Sequence, residues 1–321
     1  MSKKAIANVT NLTEEQWLDL RKRGIGGSDA AAACGFSRFK SPLTLWAEKT
    51  GRVATKPAGE AAYWGHQLEP IVRAEFSKRT GLTVEEVPIM MAMKEHPHMF
   101  ADIDGIVREK DGSTSLLEIK TSAVYAGSDW SDGFPAEWYF QVQHYLAVCD
   151  LSKAYIALLL GGNQFSYKEI MRDEETISNI IALEEVFWNR VITDTPPDPD
   201  GIGSTAETLA DMYPKASSVS TILDKEADDI VDYYLAVKEQ CEKLKEEKTA
   251  CENKLKSMLG DASCALTQKG FSVSWKNVST NRLDTAKLKE EHPEIIDKYT
   301  SASTSRRFAV GRPKKNKNEE K

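Results

Sequence analysis

Asp104, Glu118 and Lys120 are the residues of this 321-residue chain whose types and spacing first suggest chemistry. The stretch LLEIKTS, residues 116–122, reads as a strand, and its alternation sends Glu118 and Lys120 to one face and Leu117 and Ile119 to the other. A hairpin should join it to the preceding ADIDGIVRE across Lys110, Asp111 and Gly112. A two-residue loop would pair Asp104 with Ile119 and leave Glu118 on the opposite face. A three-residue loop pairs Asp104 with Glu118, and Gly112 suits the left-handed position such loops need. Two adjacent carboxylates repel unless a cation or a proton sits between them. A hard divalent ion resolves the conflict, because Mg²⁺ takes oxygen ligands and keeps several waters beside a phosphate. Lys120 on the same face could position or help deprotonate an attacking water and stabilise charge developing on phosphorus. The chemistry indicated is phosphodiester hydrolysis; the plain alternative is a solvated strand face.

Other residues are placed to join that site. Glu69 lies beside a helical stripe of Leu68, Val72 and Phe76 and could supply a further carboxylate. Gln141 and Tyr145 are one turn apart on a predicted helix, so their polar ends can point together at a nucleic-acid backbone. Arg21 ends a helix seven residues before Ser28. The glycine turn between them has free amides that, with the Ser28 hydroxyl, could cradle a phosphate.

The elements that must hold these residues follow from capping and periodicity. TEEQ (13–16) is a capping box opening a helix that GIGGSD stops. A second helix follows from Ser28, a third covers SPLTLWAEKTG, and a fourth covers GHQLEPIVRAEFSKRTG with Gly81 as its C-cap. LTVEEVPIM, HMFADIDGIVRE and STSLLEIKTS read as successive strands. PAEWYFQVQHYLAVCD is a helix, KAYIALLLGG and QFSYKEIMRD a second hairpin, and EETISNIIALEEVFWNRVI a long amphipathic helix. The fold class is α+β. TDTPPDPDGIG has linker chemistry and divides the chain into a domain of residues 1–195, a linker of 196–205 and a helical accessory domain of 206–310. In the accessory domain Ala227, Ile230, Tyr234, Val237, Cys241, Leu244, Cys251, Leu255 and Met258 fall on a heptad seam interrupted only by Lys248. The favoured reading of that seam is packing within its own domain or in an antiparallel hairpin, with an intermolecular coiled coil as the alternative. GFSVSWKNVS alternates as a strand and TAKLKEEHPEIIDKY as a short helix. Residues 311–321 are expected, from their polar composition, to be a disordered basic tail.

Composition narrows the class. A net charge of −7 excludes a surface that coats nucleic acid everywhere, while leaving room for a local basic groove. The five cysteines show no CxxC spacing, so neither a disulfide framework nor a thiolate metal site is expected. No run is long enough to span a bilayer, and MSKKAIANVT lacks a secretory apolar core, so the expected location is the cytoplasm.

Five stretches in this order, LRKRGIGGSDAAAACGFSRFKSPLTLWAEKTG, GHQLEP, ADIDG, LLEIKTS and QVQHYLAV, together resemble the lambda exonuclease or YqaJ-type viral recombinase family over residues 13–195. The resemblance implies a restriction-endonuclease-like core, a mixed sheet flanked by helices, carrying the PD-(D/E)xK nuclease site. It assigns Asp104, Glu118 and Lys120 to catalysis with Glu69 as an additional acidic member. Metal binding would fall to Asp104, Glu118, the Ile119 carbonyl and Glu69, with Mg²⁺ as cofactor and Mn²⁺ as substitute. Gln141 and Tyr145 match the family's Q-x-x-x-Y helix, with Tyr139 as their neighbour, and Arg21 and Ser28 match residues that hold a terminal 5′-phosphate. In ADIDG, Asp102 competes with Asp104, and the following glycine favours Asp104. Family members degrade one strand of linear duplex DNA in the 5′ to 3′ direction inside a bacterial cell, encoded by phage or prophage. They leave a 3′ overhang for a single-strand annealing protein, and some form trimeric rings around DNA. An endonuclease with the same site, and a non-catalytic DNA-binding or scaffolding protein, are the competing readings.

Overall fold

The computed structural model describes residues 3–56, 59–123, 130, 133, 135–302 and 305–311. The basic tail expected at 311–321 lies outside them except for Gly311. The chain divides into two compact units, Met1–Tyr213 and Pro214–Lys321.

In the first unit the order is β1 (Lys3–Asn8), α1 (Glu14–Arg21), β2 (Ile25–Gly26), α2 (Gly27–Ala33), α3 (Pro42–Lys49) and α4 (Glu60–Thr80). Then come β3 (Thr83–Glu85), β4 (Ile89–Met93), β5 (Met99–Ala101), β6 (Gly105–Arg108), β7 (Thr114–Ser122) and α5 (Ala136–Cys149). β8 (Lys153–Leu160), β9 (Gln164–Met171), α6 (Glu174–Ile192) and α7 (Gly203–Met212) complete it. The capping box forms as its sequence requires: the Gln16 amide donates to Thr13 Oγ1 at 3.2 Å and the Thr13 amide donates to Gln16 Oε1 at 3.0 Å. Gly81 closes α4 in the left-handed conformation.

A five-stranded sheet of order β3-β6-β7-β8-β9 is the centre of this unit. β7 and β8 run parallel and the other neighbours antiparallel, so the sheet is mixed. α4 covers one face, where Val72 and Phe76 pack with Leu117, Ile119 and Tyr155. α5 covers the other, where Val142 and Leu146 pack with Leu116 and Ile156. Burying each such side chain stabilises by about 1.5–3 kcal/mol, and the same sandwich makes any carboxylate on β7 costly unless it has partners.

The β6–β7 hairpin has the three-residue loop. Glu109 and Ser113 close it with a backbone bond of 3.0 Å, Gly112 adopts φ +84°, and Gly105 faces Leu117. That register carries Asp104 to the level of Glu118. HMFADIDGIVRE, read as one strand, is two. β5 belongs to a second sheet of order β1-β4-β5-β2, β6 belongs to the central one, and residues 102–104 are the crossing between them. LTVEEVPIM divides in the same way into β3 and β4. Periodicity cannot show this, because each half keeps its alternation while the chain changes partner.

The first unit also runs past the boundary expected at residue 195. α7 is part of it: Thr208 Oγ1 and Thr44 Oγ1 lie 2.8 Å apart, the Ser41 amide donates to Ser204 Oγ, and Leu209 and Met212 pack on the cluster around Trp46. The proline-rich stretch crosses the surface of one unit.

The second unit contains α8 (Lys225–Leu259), a hairpin of β10 (Cys264–Leu266) and β11 (Ser272–Ser274), and the short helices α9 (Thr285–Glu291) and α10 (Pro293–Tyr299). The helix expected over TAKLKEEHPEIIDKY is broken because Pro293 cannot continue it and starts a new one instead. No antiparallel hairpin partner covers α8 among the described residues; Leu259 is its single buried side chain.

Candidate active site

Glu118 is a buried carboxylate on the central sheet. Its residue is 3% exposed, and β7 holds it beneath α5. Oε1 accepts from Lys120 Nζ at 2.8 Å and from Gln141 Nε2 at 2.6 Å. Lys120 Nζ also donates to Gln141 Oε1 at 2.8 Å, which closes a three-residue ring. The other oxygen, Oε2, is buried and has no hydrogen-bond partner among the described residues. Desolvation raises the Glu118 carboxyl above the usual range, against the pull of Lys120. Asp104 rises well above it, from burial first and then from the charges of Glu118 and Glu69, although its Oδ2 accepts the Ile119 amide at 2.6 Å. Such a pair is set for a proton or a cation.

These residues line one wall of a cleft of about 590 Å³ together with Arg21, Ser28, Glu69, Asp102, Ile119 and Tyr145. Asp102 differs from Asp104 in its partner, accepting from Trp17 Nε1 at 3.1 Å. Glu69 reaches the cleft from α4 but is paired with Arg73 one turn on, and His66 lies 3.7 Å away. Burial raises its carboxyl as well, opposed by Arg73. Among the described residues no three His, Cys, Asp or Glu side chains are grouped to hold a metal. Asp104, Glu118 and the Ile119 carbonyl are oxygen donors from residues of this cleft, the donor type that a hard cation takes. Tyr139 is not on this wall; its hydroxyl donates to Asp173 Oδ2 at 3.1 Å, at the start of α6. Tyr139 stands two positions before Gln141, and residues two apart on a helix point to different sides.

Arg21 brings a second positive side chain to the cleft lining beside Lys120. Arg21 Nη2 donates to Ser28 Oγ and to Asp29 Oδ2, each at 2.7 Å, and the guanidinium lies 4.9 Å from the Trp17 ring centre. Asp29 Oδ2 also accepts Lys49 Nζ at 2.8 Å, and Lys49 Nζ donates to the Arg21 carbonyl at 2.7 Å. Sequence reasoning missed Asp29 and Lys49. The acidic residue directly after Ser28 was the available signal, but its partner is twenty residues away. Burial alone would raise the Asp29 carboxyl, yet Arg21 and Lys49 hold it far below the carboxylate range. A depressed carboxylate contributes stability above its unfolded value of about 3.8 that is lost as pH falls through the folded value. Asp29→Asn should thus flatten the acid limb of the stability profile. At pH 7 it should cost about 3–5 kcal/mol by leaving Lys49 buried without its counter-charge, as measured by urea unfolding.

Gly27 packs against the site without room for a side chain: a Cβ there would lie 2.6 Å from Tyr145 Cζ. Gly27→Ala should displace the Tyr145 ring and destabilise by about 1–3 kcal/mol, read as a lower urea midpoint. Sequence reasoning also missed a buried pair next door. His144 Nδ1 meets Glu184 Oε1 at 2.8 Å, and Nε2 lies 2.8 Å from the Phe100 carbonyl.

Residues 16–152 match the model of the YqaJ-like viral recombinase domain. The uncharacterized protein YqaJ of Bacillus subtilis (strain 168) is 35% identical over 311 residues, 95% of this chain and 96% of that protein. The chain belongs to the YqaJ family. As in the expectation, its core is α+β, a mixed sheet flanked by helices. Solved structures with a similar course include an alkaline exonuclease (LHK-Exo) from Laribacter hongkongensis, with TM-score 0.49 and 23% identity over 56% of this chain and 94% of that one. A phage related exonuclease from Haemophilus somnus 129PT has TM-score 0.43 and 12% identity, over 56% of this chain and 99% of that one. In this YqaJ-family chain all five matched motif stretches contribute to the cleft or to the helices that back it. No helix among the described residues is long and apolar enough to cross a membrane.

Proposed function

We propose that the cleft is the active site of a Mg²⁺-dependent deoxyribonuclease that digests linear duplex DNA from its 5′ ends and leaves 3′ single-stranded overhangs for recombination. The observation that carries this reading is the orphaned Glu118 Oε2 beside Asp104, an acceptor buried without a donor. A protein rarely leaves such an atom unless a ligand satisfies it. When bound, the cation would polarise the scissile phosphate and acidify water, held by Asp104, Glu118 and the Ile119 carbonyl, with Mn²⁺ as a substitute. Lys120 uses two donors on Glu118 and Gln141 and offers its third to the attacking water or a phosphate oxygen. Gln141 bonds both Glu118 and Lys120 and so holds them together, and Tyr145 lines the cleft beside it, its hydroxyl 3.4 Å from Gln141 Nε2. Glu69 adds negative charge along the wall and, being tied to Arg73, is not a third ligand in this reading. At the other end Arg21 and Ser28 receive the terminal 5′-phosphate, which sets the direction of digestion. The expected substrates are duplex DNA ends, and the overhang suits a single-strand annealing partner.

The test is digestion of end-labelled linear duplex with Mg²⁺, comparing 5′-phosphorylated with 5′-hydroxyl ends and with closed circular DNA. Release of mononucleotides from the 5′ strand of linear DNA alone is expected. Equal cutting of circles would make the protein an endonuclease. No cleavage with Mg²⁺ or Mn²⁺ would leave a DNA-binding or scaffolding role.

A further inference from the structure

The 35-residue helix α8 carries its heptad seam in the open. Ile230, Leu244 and Met258 are more than 60% exposed, and Cys241 and Cys251 are exposed beside them. Among the described residues one ring contact reaches this stripe, where Phe308 meets Tyr234 edge-on at 6.1 Å, and Phe308 itself stays largely in solvent. A sustained 3.5-residue repeat on an uncovered helix calls for a second helix of the same period. At roughly 1.5 Å per residue the seam from Ala227 to Met258 is about 47 Å long, far more than a short segment could cover.

Charge selects the partner. The first half of the helix, Lys225–Glu242, carries two lysines and six carboxylates, a net −4; the second, Lys243–Leu259, carries five lysines and three carboxylates, a net +2. We propose that α8 pairs antiparallel with the α8 of a second copy of this chain, setting the acidic half of each against the basic half of the other. A parallel pair would set acid on acid, face Lys248 with Lys248 across the seam and place Glu247 opposite Glu252. The antiparallel pair has one register in which every layer coincides, and it joins large to small: Met258 on Ala227, Tyr234 on Cys251, Leu244 on Cys241. Lys248 then lies on Val237, its stem covering apolar surface while its ammonium stays with Glu252, 3.2 Å away on the same helix. The one like-charge contact is Lys238 near Lys245. The symmetry is two-fold, so the contact closes on itself and gives a finite assembly.

The experiment uses the full chain. Mass in solution is measured by sedimentation for the wild type and for Val237→Glu/Leu244→Glu, whose helix content is checked by circular dichroism. The wild-type assembly is expected to have twice the mass of the variant. Equal masses with helix content unchanged would overturn the proposal, whether the seam is left bare or covered by the 305–311 segment. Orientation is read by oxidative cross-linking in a Cys241→Ser/Cys264→Ser background. Cys251 alone should give no covalent dimer, and adding Tyr234→Cys should give one. A dimer through Cys251 alone would mean parallel pairing and would equally overturn it.

Discussion

Glu118→Gln is expected to abolish cleavage, by at least about 10³-fold, the scale on which loss of one preorganised charge-stabilising group is felt. Duplex binding should persist, measured by gel shift in Ca²⁺. The same substitution should stabilise the metal-free protein. Burial raises both carboxyls above their values in the unfolded chain, 4.5 for Glu118 and 3.8 for Asp104. As pH rises the unfolded state releases these protons first, so the metal-free fold loses stability in a window that opens at about pH 4 and extends to the raised folded values. A neutral glutamine removes the Glu118 titration and its repulsion of Asp104. The wild type should recover stability on adding Mg²⁺, by about 2.7 kcal/mol at a hundred times the dissociation constant, while Glu118→Gln should show little of this shift. A variant that still cleaves would remove Glu118 from the site. One that stays inactive but melts lower without metal would show that Glu118 supports the fold instead.

Arg21→Ala should slow digestion of 5′-phosphorylated ends while leaving 5′-hydroxyl ends nearly unchanged. Losing a charge-assisted bond to phosphate costs about 1.5–3 kcal/mol, roughly 10- to 150-fold. The fold should tolerate the change, because Asp29 keeps its bond to Lys49 at 2.8 Å. Two cations on one carboxylate leave a net positive charge at this end of the cleft, and Arg21 is the member that reaches the lining. Arg21→Lys should not restore the preference, since an ammonium cannot bond Ser28, Asp29 and a phosphate in one planar fork. Equal slowing on both kinds of end would show that Arg21 serves the chemistry or the fold and not the end.

Much of this arrangement was legible in short-range patterns. The β6–β7 register follows from loop length and one glycine, and it alone predicts that Asp104 and Glu118 meet. Capping and helical periodicity located α1, α4, α5 and α6 because those signals lie within a turn or two of each other along the chain. The Asp29–Lys49 and His144–Glu184 pairs were not legible: their members are 20 and 40 residues apart, and nothing local announces a counter-charge. The same holds for α7, whose proline-rich approach reads as a linker until Thr44 and Thr208 are seen to meet.

By itself, then, the order of residues determined which carboxylates share a strand face, which glycine makes their pairing possible and which helix carries a seam. Tertiary structure decided that Glu118 is sealed beneath α5 with one oxygen unanswered, that residues 102–104 cross between sheets, that Glu69 is held by Arg73, and that Tyr139 bonds the capping Asp173 of α6 instead of joining the cleft. The division is physical. Register and periodicity are set by bonds between near neighbours, whereas burial and charge pairing depend on what the folded chain brings from far away, and it is burial that turns an alternating strand into a candidate site.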